Sequence, residues 1–515
     1  MTLLRAVATV SGFTMLSRIL GFVRDILIAS LLGAGLVADA FFVAFKLPNF
    51  FRRLFAEGAF NAGFVPLFSE ALQREGLPAA RQFAEQALSV LLVVLLLFVT
   101  ALQAGMPWFM AVLAPGFVES PEKFDLAVVL TRLTFPYLLF VSLVSLLGGV
   151  LNSLNRFAAV AFTPVLLNLC LIAGITLLAR VTPTGGHALA WAVAAAGAVQ
   201  FLWLIVACRR AGIAIRLPRP RLTPKVVRLL KLMLPVALGA SAVQINLLID
   251  IVLASLLPEG SISFLFYADR LNQLPIGVIG VAVGTALLPM LSRLVSAGDE
   301  AGARHRLNRA IEIALFLSLP AACALMLVPG ELIAALFQRG AFAEAEVRAT
   351  AVALAAYAVG LPAYVLVKLL GPAFFAHQDT RTPVVLGLVA MVVNIVLNLI
   401  LMQFLLHTGL ALATALAAWL NTAMLAIVLR RRGWLQVDDA LIRRLARTMP
   451  ALAVLGVTVL ALSHLLAPAF AGSDEVFRIA ALAALVGGGL VAYFLSAILV
   501  GALDRGDLRN LLRRG

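Results

Sequence analysis

The chain has 515 residues, 63% of them hydrophobic and only 13% charged, with 40 Lys and Arg against 25 Asp and Glu for a formal net charge of +15. A soluble globular protein is about half apolar and about a quarter charged. The composition therefore excludes a soluble enzyme and predicts an all-α polytopic membrane protein. The three cysteines, Cys170, Cys208 and Cys323, fall singly in apolar stretches without a C-x-x-C pair, which predicts reduced, buried thiols.

At the N-terminus, Arg5 precedes a long apolar run with no small-residue cleavage site, so an uncleaved first span is expected. A span needs about 20 mostly apolar residues. About 14 are expected, near 7–32, 36–56, 86–111, 126–150, 158–179, 188–208, 229–257, 263–291, 309–329, 347–375, 382–405, 409–429, 448–468 and 476–502. The second is the weakest, because it carries Asp39, Lys46, Arg52 and Arg53.

Lys/Arg bias in the short loops sets the orientation. With the N- and C-termini in the cytoplasm, cytoplasmic segments hold about 26 Lys and Arg, and the opposite loops about five: Lys123, Arg180, Arg339, Arg348 and Arg478. This asymmetry accounts for most of the positive charge without any nucleic-acid partner.

An internal repeat follows. "DILIASLLGAG" (25–35) and "DIVLASLLPEG" (250–260) share seven of eleven positions at an offset of 225. Pro136 parallels Pro362, Arg156 parallels Arg381, and Asn168 parallels Asn394, with small slips in the offset. The expected organisation is an N-lobe of six spans (1–222), a C-lobe of six spans (223–435), and two extra C-terminal spans (436–515). An even number of spans per copy makes the repeats parallel, related by a pseudo-two-fold axis along the membrane normal, with the substrate path between them.

Charges within spans are costly. Arg18, Arg24 and Asp25 in the first span would cost roughly 8–10 kcal/mol together if left in hydrocarbon, at about 2.5–3.5 each. They are expected to face a water-filled cavity or each other. Arg270 lies at a depth similar to Arg24, and Asp269, Asp25 and Asp250 supply carboxylates. Arg52, Arg53 and Glu57 sit nearer the cytoplasmic end. Guanidinium binds phosphate oxygens as a bidentate fork, so arginines outnumbering carboxylates predict an anionic ligand, best a phosphate or diphosphate.

Each of these residues also has a structural reading. Arg52 and Arg53 can snorkel to cytoplasmic headgroups. Arg18 and Arg24 can form ion pairs with Asp25 or Asp39, and Arg270 with Asp269. Lys231 and Arg132 mark helix ends, and Lys368 is ambiguous. Asp250, with Asn246 one turn earlier, reads either as a Na⁺ or proton site or as a hydrogen-bonded polar pair. "VDDA" (437–440) is expected to be a helix N-cap and "GGGL" (487–490) a close helix-packing surface. No phosphate-loop motif and no metal-ligand spacing of histidines is present, so neither an ATPase nor a metal centre is expected.

The stretch "DAFFVAFKLPNFFRRLFAEGAFNAGFVPLFSE" (39–70) resembles the signature region of the MviN/MurJ family of lipid II flippases. "SGFTMLSRILGFVRD", "APGF", "TFPYLL", "LNSLNRF" and "YADRLNQLPIGVIGVAVGTALLPMLS" are similar to it as well, so the resemblance runs end to end. It implies a transporter of the multidrug/oligosaccharidyl-lipid/polysaccharide exporter superfamily, not an enzyme. Its cargo would be the undecaprenyl-diphosphate-linked peptidoglycan precursor lipid II, moved from inner to outer leaflet of the bacterial plasma membrane by alternating access. The resemblance further implies that Arg18, Arg24, Arg52 and Arg270 hold the diphosphate, and that Asp25 and Asp39 serve gating or charge balance, a role extended here to Glu57 and Asp269. The two C-terminal spans would form a groove for the lipid tail. No cofactor is expected. Coupling to Na⁺, protons or membrane potential is, although Phe375 and Ile395 stand where further polar ligands for a sodium site would be sought. Membrane lipids are expected partners, cell-wall synthesis proteins are candidate ones, and a monomer is expected. The alternatives are a flippase of another polyprenyl-linked sugar, a drug/cation antiporter, and a membrane enzyme acting on polyprenyl diphosphates.

Overall fold

Most helices are apolar on every side, which suits elements that meet lipid as well as protein. The computed structural model describes residues 3–53, 60–472 and 474–503, and among these every regular element is helical. Long apolar side chains such as Leu97, Val457 and Leu465 stand largely exposed, as a lipid-facing surface requires. Ten helical stretches among the described residues are long and apolar enough to cross a membrane. That number counts Arg381–Arg431 once and does not include Leu3–Leu32, Leu36–Phe51 or Pro224–Ser255, so it does not by itself give the expected fourteen.

The chain divides into two compact units. The first comprises 1–263 with 339–342. Its helices are α1 (Leu3–Leu32), α2 (Leu36–Phe51), α3 (Asn61–Arg74), α4 (Leu77–Ala104), α5 (Met106–Leu113), α6 (Pro121–Thr134), α7 (Tyr137–Ser153), α8 (Phe157–Ala161), α9 (Thr163–Ala173), α10 (Gly185–Arg210) and α11 (Pro224–Ser255), followed by the start of α12 (Ser261–Pro275). The span expected at 126–150 is two helices, α6 and α7, because Pro136 at the junction lacks an N–H and cannot continue the ladder. The described part of the signature region folds as α2, nearly wholly buried between Ala38 and Phe45, and α3, where Phe60, Phe64 and Phe68 stack at 5.1 and 5.6 Å. Gly33 ends α1 with φ +61°, and Gly340 meets the same corner with φ +57°. A Cβ on Gly340 would lie 2.2 Å from the Ser30 carbonyl oxygen. Hydrogen alone fits there, and the closeness lets Ala341 N donate to Ser30 O at 2.8 Å.

The second unit comprises 264–338 and 343–515. It contains the rest of α12, then α13 (Val281–Ser296), α14 (Glu300–Leu327), α15 (Pro329–Phe337), α16 (Glu344–Val359), α17 (Leu361–Ala376), α18 (Arg381–Arg431), α19 (Asp439–Ala471) and α20 (Glu475–Leu499). The spans expected at 382–405 and 409–429 are the two arms of α18, which breaks at Leu406 (φ 50°, ψ −132°) without an intervening loop. His407 fixes the corner through Nε2 and Ala349 O at 2.9 Å.

Asp438 caps α19, accepting from Leu441 N at 2.7 Å, the role read for "VDDA". Gly488 and Gly489 let α20 approach α19 closely: a methyl there would stand 2.6 Å from Leu462 and 2.9 Å from Val459. This is the packing surface expected of "GGGL". The α19–α20 pair docks on α14 through Arg444 and Glu312 (2.6 Å) and through Tyr493, whose hydroxyl donates to Phe316 O at 2.6 Å. All three cysteines are free.

Candidate substrate-binding site

The polar sector of α1 resolves into one tied guanidinium and one open one. Arg24 is 6% exposed and Asp25 2%. Arg24 donates from Nε (2.9 Å) and Nη2 (2.7 Å) to a single oxygen, Asp25 Oδ1. Adjacent helical positions do not normally face each other; the long arginine side chain folds back along its own backbone to reach. The third bond runs from Nη1 to Asn168 Oδ1 on α9, at 2.9 Å. Asn168 Nδ2 donates in turn to Ser17 O at 2.8 Å and to Ser17 Oγ at 3.2 Å. The Phe45 ring lies 5.9 Å from the guanidinium carbon. Arg24 is thus fixed by a carboxylate, a carboxamide and an aromatic face. Of the ion pairs open to Arg18 and Arg24, the structure forms the one between Arg24 and Asp25. Arg18 is exposed, and no other described residue bonds to it.

Asp39 was expected among the arginines. Its partner is Lys123, which the loop count treated as an outer-surface charge. Asp39 is 1% exposed and accepts at both oxygens: Oδ2 from Lys123 Nζ (2.8 Å) and Gly260 N (2.8 Å), Oδ1 from Ser263 N (3.0 Å) and Ser263 Oγ (2.7 Å). It therefore satisfies the free amides at the start of α12, where the helix dipole also favours a negative charge. Glu259 returns the arrangement, its Oε1 accepting from Leu36 N, the first amide of α2, at 2.7 Å. Two helix starts thus cap each other. Lys123 also lies 4.4 Å from the centre of the Phe117 ring. Lys123, Glu259 and Ser263 escaped the sequence reading because nothing in their spacing brings them near residue 39.

Arg52 is half-buried and donates to Asn49 Oδ1 at 3.2 Å, while Arg53 is exposed. Glu57 lies outside the described residues. In the second unit, Arg270 lies over the Phe266 ring at 4.7 Å, and Asp269 accepts from Gln273 Nε2 at 3.2 Å. Lys368 is exposed on α17 and packs against Gly280 and Gly284, whose missing side chains leave room for its stem.

Asp250 and Asn246 are both half-buried on α11. Asn246 Oδ1 is buried and, among the described residues, accepts no hydrogen bond. A hard-oxygen cation site would use such an acceptor. Among the described residues no cluster of three His, Cys, Asp or Glu side chains is placed to hold a metal ion.

Asn168, in the sequence only a repeat match to Asn394, is the residue that ties Arg24 and Ser17 to α9. At the 225-residue offset Arg24 corresponds to Ile249, so the second copy lacks the guanidinium. Asn394 is 3% exposed and its Nδ2 is buried without an acceptor among the described residues, while its Oδ1 accepts from Asn398 at 3.3 Å.

A family model described as lipid II flippase MurJ matches residues 28–481. A probable lipid II flippase MurJ of Rhizobium tropici is 43% identical over 519 residues, covering 100% of this chain and 97% of the relative. The lipid II flippase MurJ of Burkholderia cenocepacia is 38% identical over 459 residues, covering 88% and 89%. Among solved structures, a lipid II flippase MurJ in an inward closed conformation superposes with a TM-score of 0.76 at 26% identity, covering 95% of this chain and 98% of that one. An inward-facing multidrug transporter of the MATE family shares the fold at a TM-score of 0.66 and 16% identity.

Proposed function

The chain belongs to the MurJ family of lipid II flippases, and from that premise we propose that it carries lipid II from the inner to the outer leaflet by alternating access. It is a transporter, not an enzyme: moving a headgroup across the bilayer needs no bond made or broken. Arg18, Arg24, Arg52 and Arg270 attract the diphosphate, and the polyprenyl tail stays in lipid along α19 and α20. The observation that carries the reading is the bonding of Arg24. A guanidinium almost withdrawn from solvent, inside an apolar helix, is expensive unless an anion meets it. Asp25 supplies one such anion through a single oxygen. A third donor, Nη1, is held by the neutral carboxamide of Asn168, which a phosphate oxygen can replace. With Asp39 occupied by Lys123, arginines exceed the carboxylates left to balance them.

Asp25, Asp39, Glu57 and Asp269 serve gating and charge balance. The duplicated lobes, 1–222 and 223–435, rock about the site, and the basic loops keep both termini in the cytoplasm. Residues 436–515 complete the set of fourteen spans. Coupling to Na⁺, protons or membrane potential drives the cycle, with Asp250 and Asn246 offering oxygens for a cation. The protein works as a monomer among membrane lipids and cell-wall synthesis proteins.

The test is reconstitution into liposomes with labelled lipid II, following leaflet accessibility with and without a sodium gradient or voltage. Transfer by the native protein is expected, with loss in Arg270→Ala at unchanged protein level and a partial defect in Arg270→Lys, which keeps the charge but not the fork. Undiminished transfer by Arg270→Ala would overturn the diphosphate site.

A further inference from the structure

A second lipid-facing feature lies away from the α1 charge network. Within the first unit, a cavity of about 480 Å³ opens among α1, α8 and α10. Its walls are aromatic and aliphatic: Phe13, Phe162, Trp203 and Val206. Phe13 meets Phe162 edge-on at 5.3 Å, and Phe162 lies 5.3 Å from Trp203. The Trp203 indole N–H is already satisfied by Ala159 O at 3.0 Å, so what remains to line the space is its apolar ring. Two exposed arginines share the same cavity, Arg156 just before α8 and Arg210 in the last turn of α10. No carboxylate is among the lining residues.

We propose that this groove binds an anionic phospholipid, with one acyl chain against Phe13, Phe162 and Trp203 and the phosphate between Arg156 and Arg210. The geometry along α10 suits such a ligand. Trp203 is seven residues before Arg210, about 10 Å along the helix axis, which places the rings at acyl-chain depth when the guanidinium groups reach the headgroups. Charge complementarity selects the headgroup. Two guanidinium groups favour a lipid with net negative charge, and without a lining carboxylate nothing offers a counter-charge to the ammonium of a zwitterionic one. A soluble anion would leave the aromatic walls unused. The cytoplasmic leaflet is its source under the orientation proposed above; binding itself does not depend on that orientation, so the two can fail separately.

The test uses the purified full chain in phosphatidylcholine vesicles, into which bromine-labelled phosphatidylglycerol or bromine-labelled phosphatidylcholine is titrated. Bromine quenches nearby indole fluorescence, and the difference from Trp203→Phe isolates this one of the five tryptophans. The expected result is quenching of Trp203 at lower mole fraction by the anionic lipid. In Arg156→Gln/Arg210→Gln this preference should fall, by roughly fivefold for each guanidinium removed, and in Arg156→Lys/Arg210→Lys it should largely persist. Unchanged emission from the other tryptophans controls for folding. Equal quenching by the two lipids, or a preference surviving in the Gln double variant, overturns the proposal. So does displacement of the quencher by undecaprenyl diphosphate but not by unlabelled phosphatidylglycerol, which would make the groove a substrate site.

Discussion

Lys123 Nζ lies 2.8 Å from Asp39 Oδ2, with both side chains almost fully withdrawn from solvent. Removing one partner of such a pair strands a buried charge, at about 3–5 kcal/mol, whereas replacing both together costs much less. Lys123→Met and Asp39→Asn should each lower the thermal stability of the purified protein markedly, and the double variant should recover part of the loss. Additive losses in a double-mutant cycle would show that the two side chains act independently.

Asn168 holds Arg24 Nη1 by one bond and Ser17 by two. A hydrogen bond to a charged group contributes about 1.5–3 kcal/mol. Asn168→Leu should therefore reduce lipid II transfer by roughly ten- to a hundredfold if guanidinium orientation limits the cycle. Asn168→Asp keeps the acceptor and should restore part of it. A purely structural role would show as equal transfer per folded molecule in native and Leu forms.

Gly340 is required by both conformation and space. Its φ of +57° and the 2.2 Å approach of the Ser30 carbonyl to a would-be Cβ mean that Gly340→Ala must move backbone. The expected loss exceeds the roughly 1 kcal/mol of left-handed strain alone. Gly298→Ala, also at positive φ (75°) but with nothing within 4 Å, should cost only that strain. Unfolding temperatures measured side by side would separate the two, and equal shifts would refute the steric argument.

Asp379, in the turn between α17 and α18, has its carboxyl pushed down to about 2, first by the Thr382 hydroxyl and amide and then by Arg432. A carboxylate whose folded value is depressed contributes stability that is fully present above its unfolded value, near 4, and lost as pH falls toward 2. Asp379→Asn should therefore be slightly less stable than the native chain above pH 4. The difference should close between about pH 4 and pH 2. Asp379 is half-buried in a turn beside the exposed Arg432, so the part of the effect that comes from Arg432 should shrink with added salt. A difference that stays constant with pH would assign the effect to packing.

How much of this could be read from the sequence depends on what kind of signal each feature leaves. Apolar length is local, so helices lie where spans were expected. The breaks at Pro136 and Leu406 altered only how the segments join. Residue type and depth also carried: Arg24 and Asp25 do pair, and Asp438 does cap α19. Pairing across distant segments left no trace. Asp39 finds Lys123 from 84 residues away and Ser263 from 224 away, because a carboxylate takes whichever donors the packing of α2, α6 and α12 delivers. Lys123 looked like a loop charge because its burial is a property of the fold.

The break in α18 has a consequence for how the protein presents itself to its surroundings. As one unbroken rod its 51 residues would extend about 77 Å, far beyond a hydrocarbon layer of about 30 Å. A single leucine in an unfavourable backbone state reverses the chain instead, and Gly409 presses so close behind it that a side chain there would strike the Leu401 carbonyl at 2.4 Å. A reversal made this way offers no slack segment. A protease added from that side should find nothing to cut, and an epitope inserted at the corner should disrupt the protein before it can be displayed.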